Sequence, residues 1–354
     1  MEGMGRGSKL TAAVTGFILF AASIILLSIN EYNYVNTLKI ADFSEKNAIE
    51  ASTGNLDPSN ENKLIHIIGE AYSQQTLSDS IISVPNAIAF FRNVEMYQWE
   101  EVKKHKNDNK IEYAYRKTWS KHLINSDNFE STAYKNPSRM RYEKKELYAN
   151  NIGFGKFYLS KSIINKINSV TKITQLPYNS KFKTYNGFYF TGDNYDDPAI
   201  GDQKLSYSYI PSGIKLSIIA KQSGNRLENM NTEYGDFVIA MYGRKDLKTM
   251  LKEYKKNSSS NSRIFRGIGI LLMFIGLNLL IQPIVNSGGI IPVFGQLSKM
   301  AAFISTIIIT IALSTISISL CWLLFRPETA IPLIVISAIT IFSLRKKKKV
   351  IVPE

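Results

Sequence analysis

Acid–base or metal chemistry needs carboxylates, imidazoles or thiolates brought close together, and the chain offers few such groups. Residues 94–101 read VEMYQWEE, so Glu95, Glu100 and Glu101 lie beside Tyr97 and Trp99. Two carboxylates on one surface would serve as general acid and base. Side chains alternate along a strand, however, so Glu95 shares a face with Tyr97 and Trp99 while Glu100 points the other way. Only a bulge would bring them together. A second acidic group is the turn GDNYDDP at 192–198, where Asp193, Asp196 and Asp197 are candidates for Ca²⁺. The full EF-hand loop pattern is absent there, and acidic residues are common in surface turns. His66, His105 and His122 are far apart, and none sits in a metal-ligand spacing such as HExxH. No glycine-rich phosphate loop follows a strand. The sequence therefore names no catalytic residue and no cofactor, and Asp193, Asp196 and Asp197 are its metal candidates.

The elements that must position these groups divide sharply by polarity. Residues 10–29, LTAAVTGFILFAASIILLSI, carry no charge. As a helix this run would span about 30 Å, the thickness of the hydrocarbon core of a bilayer. It is longer than a signal-peptide h-region and ends in SINEYNY with no Ala-x-Ala, which reads as a retained anchor. Three more apolar runs stand at 264–285, 300–325 and 329–344. Backbone polar groups in lipid must be satisfied internally, so all four should be helices. The expected fold is an α+β membrane protein with four transmembrane helices, one plus three. A large β-rich extracytoplasmic domain, residues 30–262, is inserted between the first helix and the second.

Charge fixes an expected orientation. The basic tail at 345–354 begins RKKKK, and Arg6 and Lys9 precede the first run within residues 1–9. The positive-inside rule puts both ends on the cytoplasmic side, and four crossings require the ends to share a side. A basic stretch attached directly to a spanning helix reads as a lipid-headgroup anchor rather than a nucleic-acid patch. The single cysteine, Cys321, rules out an intramolecular disulfide, and the middle domain is long enough to build a core without one.

Within the apolar runs, Gly267, Gly269 and Gly276 would let helix backbones approach closely. Thr306, Thr310, Ser314, Ser317 and Cys321 recur at spacings of three or four and share one helix face. A small, weakly polar stripe of this kind reads as a helix–helix seam. The cores of the runs hold no ionisable residue, which argues against a pump or a proton-coupled transporter. The segment 286–299 reads as a cytoplasmic-side turn, and FRPETAIP as the tight turn of a hairpin joining the last two spans.

In the middle domain, alternation and β-branched residues predict strands at 63–71, 213–222 and 235–243, and a strand before the acidic turn at 186–198. VEMYQWEE and IEYAYRKTW (111–119) should pair as a β-hairpin with aromatic cross-strand contacts. In its first strand Val94, Met96 and Gln98 face one way, and Glu95, Tyr97 and Trp99 the other. Helices are expected at 160–170, with Ile163, Ile167 and Val170 on one face, and at 246–256. KKNSSSNS at 255–262 reads as a short linker, and Asn257 fits a glycosylation acceptor pattern.

The stretches NENKLIHIIG (60–69), NVEMYQWEE (93–101), NSDNFESTAYKNPSRM (125–140) and FGKFYLSKSIINKI (154–167) resemble the LUMA family. LLMFIGLNLL (271–280), PVFG (292–295) and WLLFRP (322–327) extend the resemblance through the membrane part. It implies four spans, cytosolic tails and a large lumenal domain. It also implies a membrane organiser that self-associates and, in eukaryotes, binds lamina-associated proteins such as emerin and lamins. No catalytic residue comes with it. The membrane would be the cytoplasmic one in a bacterium, and the endoplasmic reticulum or inner nuclear membrane in a eukaryote.

The reading that follows is an integral membrane scaffold that packs with itself and with other membrane proteins in the lipid bilayer and binds no nucleic acid. Its interaction candidates are Tyr97, Trp99, Gly276, Thr310, Ser314 and Ser317. The alternatives are a membrane-surface enzyme, acting on lipid for example, with a site in the extracytoplasmic domain, or a pore.

Overall fold

The computed structural model describes residues 6–105, 111–167, 169–285, 299–327 and 330–331. The chain forms two units: 44–250 is one, and 1–43 joined with 251–354 is the other. Among the described residues three helices are long and apolar enough to cross a membrane, and the inserted unit is β-rich. The expected fourth span at 329–344, the basic tail at 345–354 and most of the turn at 286–299 lie outside the described residues. So does the hairpin tip at 106–110.

The first boundary moves. Helix α1 runs from Arg6 to Asn47, far beyond the end of its apolar run at residue 29. Its buried positions Leu27, Glu31 and Val35, followed by Ile40 and Ala41, continue the helical stripe of the span into polar sequence. The inserted unit accordingly begins at Ser44 rather than at residue 30. The second boundary moves too. Helix α3 runs unbroken from Leu247 to Val285, so the expected helix at 246–256, the expected linker at 255–262 and the second span are one element. Serine and asparagine are indifferent helix formers, but here small side chains occupy the contact face. Ser262, for example, is buried.

Helices α1 and α3 pair antiparallel in a constant register. Asp42 meets Lys255 at 2.7 Å, Asn30 Nδ2 reaches Ser262 Oγ at 3.0 Å, and Arg266 meets Glu31 at 2.6 Å. Further along, Leu27 covers Gly269, and Gly16 and Phe20 lie against Gly276. The contact runs about 40 Å along α1, more than the hydrocarbon core requires. Glycine is needed at its far end. A Cβ on Gly276 would stand 2.7 Å from the Phe20 nitrogen, and one on Gly16 would stand 2.8 Å from the Gly276 oxygen. Gly267 has open space around it and takes no part in this approach.

Helix α4, Lys299–Phe325, joins the pair. Ile309, Leu313 and Ile318 pack on a small core of Leu27, Met273 and Leu277, and the Cys321 thiol lies 3.4 Å from the Ser28 hydroxyl.

The described residues of the inserted unit form two seven-strand sheets and a small two-strand ladder. In the first sheet the order is Ile49–Ser52, Leu64–Tyr72, Ile152–Phe154, Phe157–Leu159, Arg226–Glu228, Ile214–Ser223, Ile239–Tyr242. Leu64–Tyr72 also pairs with Ile214–Ser223, so the five middle strands close into a ring. Ile65, Ile67, Phe154, Phe157, Leu216 and Ile218 are fully buried within its core. In the second sheet the long strand Ala87–His105 lies between Gln203–Pro211 and Ile111–Ser120. Its own core centres on Phe90, Val94, Tyr189, Leu205 and Tyr207. Asp79 is tied under that core by the Arg92 guanidinium at 2.7 Å and by the backbone N–H groups of Ile81 and Ile82.

The expected strands at 63–71, 213–222 and 186–198 are present, with that at 235–243 shortened to Ile239–Tyr242. The helix expected at 160–170 is only one turn, α2, Lys161–Ile164. Ile163 and Ile167 are buried but Val170 is exposed, because the chain leaves the helix before the third position of the stripe.

Candidate interaction site

The hairpin and the outer end of the helix pair hold the side chains that the sequence raised for chemistry or contact. In the hairpin, Ala87–His105 and Ile111–Ser120 pair without a slip over ten positions, with Tyr97 opposite Trp119 and Trp99 opposite Lys117. Met96 and Gln98 are buried on one face, and Tyr97 and Trp99 are half-buried on the other, as alternation requires.

Each carboxylate of VEMYQWEE has a partner. Glu95 meets Lys204 at 3.0 Å and Glu100 meets Arg116 at 2.7 Å. Glu101 accepts from the Tyr115 hydroxyl at 2.8 Å and from the Glu130 backbone N–H at 2.6 Å. Burial and the Glu101 carboxylate push the Tyr115 hydroxyl above its usual value. These acids tie strands and loops together rather than converge on a substrate position.

The aromatic residues are engaged as well. Tyr97 packs on Trp119 with ring centres 5.1 Å apart, and Lys204 lies over the Trp119 ring. Trp99 meets Tyr134 edge-on at 4.8 Å, and Tyr134 stacks on Tyr115 at 3.9 Å. Tyr134 belongs to a loop that folds under the hairpin where the sheet neighbour Gln203–Pro211 has ended. Asn136 replaces the missing strand there. Its Oδ1 accepts from the Trp99 N–H at 2.7 Å, and its Nδ2 donates to the Trp99 carbonyl at 2.9 Å and to the Ile124 carbonyl at 3.2 Å. Buried Gln98 does the same on its side, donating to the His122 carbonyl and accepting from the Ile124 N–H. Tyr97 and Trp99 thus pack against rings of their own chain and keep part of their surface exposed.

The remaining candidates are scattered. Among the described residues no three of His, Cys, Asp and Glu gather as a metal site. Asp193 pairs with Lys183, and Asp196 sits in a turn closed on Asn194. His66 is buried between Glu50 Oε2, 2.7 Å from Nδ1, and the Lys245 carbonyl, 3.1 Å from Nε2.

The stripe on α4 is buried inside the chain. Thr306, Thr310 and Ser314 are almost inaccessible. The hydroxyls of Thr310, Ser314 and Ser317 return to carbonyls of their own helix, leaving a smooth face. This is a helix seam, as the spacing implies, but it joins helices of one molecule. Gly276 is likewise covered by α1. Thr310, Ser314 and Gly276 are thus covered within the chain, and Ser317 is half-buried.

The cores of the apolar runs hold no ionisable residue, but a buried ion pair stands at their ends. Glu31 has no exposed side-chain surface, and Arg266 holds its two oxygens with parallel bonds of 2.6 and 2.7 Å. The Trp322 indole N–H donates to the same carboxylate at 2.7 Å, and Asn30 Nδ2 donates at 3.1 Å. One residue from each of the three helices thus meets at one level. A sequence signal for it exists. Glu31 follows the first run by two residues, Arg266 stands near the start of the second, and Trp322 near the end of the third. Helices alternating in direction bring those three ends together.

Comparison with known proteins places the chain. Over residues 96–327 it matches the family model described as Transmembrane protein 43. Mouse and human Transmembrane protein 43 are each 27% identical to it, over 88% and 89% of this chain and 84% and 85% of theirs. The Drosophila melanogaster Transmembrane protein 43 homolog is 24% identical over 89% of each chain. No solved structure matches. The stretches that carry the LUMA resemblance are thus accounted for, and the chain belongs to the Transmembrane protein 43 family of membrane proteins.

Proposed function

We propose that this chain is an integral membrane scaffold that self-associates and presents its β-rich domain to other membrane proteins. Both ends lie on the cytoplasmic side and the domain on the opposite side. The observation that carries the reading is that the ionisable groups best placed for chemistry are committed to ties within the chain. Glu95, Glu100 and Glu101 each bind a neighbouring strand or loop, and Glu31 binds three helices at once. A catalytic carboxylate needs access to substrate, and a conduction path lined by charge needs a charge that is not fully partnered. With the α4 stripe and Gly276 occupied internally, self-association falls to the outward faces of the helices and to the domain surface. If eukaryotic, the partners fall in the class that the LUMA resemblance implies.

The test has two readings on the full-length protein in native lipid. Protease added to sealed, right-side-out vesicles should digest the domain and spare the basic tail. Native mass spectrometry in nanodiscs should show two or more copies. A protected domain with a trimmed tail contradicts the orientation, and a monomer at every concentration contradicts self-association.

A further inference from the structure

A groove of 420 Å³ runs between α1 and α3 beside the Glu31–Arg266 pair. Its lining changes character along the helix axis. At one end stand Leu26, Ile29 and Phe265, and at the other Asn33, Asn257 and Asn261, with Ser258 between the two asparagines of α3. No lining residue is charged. Two charge pairs flank it on these helices, Lys255 with Asp42 and Arg266 with Glu31.

The depth of the groove follows from the apolar runs. Residues 10–29 of α1 fill the hydrocarbon thickness, so Leu26 and Ile29 lie at its edge. Thr37, at the far end, stands roughly 12 Å past Ile29 along α1, beyond the headgroup layer. An apolar floor at acyl depth and an amide-rich wall at headgroup depth match one class of molecule that surrounds the protein at that level. From this we infer that the groove is a binding site for a zwitterionic glycerophospholipid of the leaflet next to the β-rich domain. Asparagine amide N–H groups donate to phosphate and ester oxygens. Amide carbonyls and the Tyr254 ring receive the ammonium head, and the start of an acyl chain lies on Phe265 and Ile29. An anionic lipid would bring a net charge to a wall that holds none to meet it.

The full-length protein in nanodiscs, doped with phosphatidylcholine carrying a photoactivatable diazirine, tests this. Cross-links should concentrate on peptides covering 26–37 and 254–265. Ser258→Trp, which fills the groove, should cut that labelling about tenfold, the equivalent of 1.4 kcal/mol, without moving the thermal midpoint. Asn261→Leu gives an independent reduction if the tryptophan variant does not fold. Labelling spread evenly around the helices, or unchanged in both variants, overturns the inference. So does stronger labelling at this groove by the phosphatidylglycerol analogue.

Discussion

The Arg266 guanidinium grips both oxygens of the Glu31 carboxylate, at 2.6 and 2.7 Å, across 235 residues of sequence. Bidentate geometry fixes orientation as well as distance, so this pair sets the rotation of α1 against α3. Trp322 extends the lock to α4 through a third bond to the same carboxylate.

Breaking that pair from one side should be costly, because it leaves either the fully buried Glu31 or the half-buried Arg266 without its partner. Glu31→Gln or Arg266→Met is expected to destabilise the helix unit by about 3 kcal/mol. The apolar double variant Glu31→Leu/Arg266→Met should recover most of the loss. Thermal unfolding of the purified protein in detergent reads both, and equal losses in single and double variants would refute the lock.

The glycines make a sharper comparison. By helix propensity alone, replacing an interior glycine by alanine stabilises a helix by about 1 kcal/mol. Gly267→Ala should show that gain, since nothing stands within 4 Å of its added carbon. Gly276→Ala should lower stability despite the same gain, because its Cβ meets the Phe20 backbone at 2.7 Å. The sign of the difference between the two midpoints is the measurement.

Asn136 stands in for a strand, and its removal should release the loop beneath the hairpin. Asn136→Leu leaves the Trp99 backbone groups without their partners and should cost about 2 kcal/mol. Hydrogen exchange should quicken at Trp99 and Ile124, while the closed ring of the first sheet keeps its protection.

Asp246 gives a pH dependence. It caps α3, accepting from the Thr249 backbone N–H at 2.8 Å and from the Thr249 hydroxyl at 3.0 Å. The Thr249 N–H, and then its hydroxyl, hold the Asp246 carboxyl below the ordinary carboxylate value. A folded-state value below the unfolded one adds stability that is complete above the ordinary range and is lost as pH falls through the lower, folded value. The first turn of α3 should therefore loosen below about pH 4. Asp246→Asn keeps an acceptor for the cap and should abolish that acid-dependent step in the exchange rates of residues 247–250.

Much of this architecture is legible from local pattern. Twenty uncharged residues at 10–29 announce a span, and the alternation in VEMYQWEE sorts Met96 and Gln98 from Tyr97 and Trp99 correctly. What escapes is whatever depends on a distant partner. Polar residues 30–47 read as the start of a domain, yet they are helical because Glu31 and Val35 continue a stripe against α3. The serines of 258–262 read as a linker for the same reason, since only the approach of α1 makes their smallness useful. The destination of Glu101 was equally hidden, because its partner at Glu130 arrives through a loop with no periodicity of its own.

The central claim is the antiparallel register of α1 and α3, and cysteine cross-linking in intact membranes tests it most directly. With Cys321 replaced by serine, the pair Asp42→Cys/Lys255→Cys should form a disulfide rapidly under mild oxidant. Asp42→Cys with a cysteine at Arg266, about 16 Å further along α3, should not. Cross-linking of the second pair in preference to the first would contradict the account.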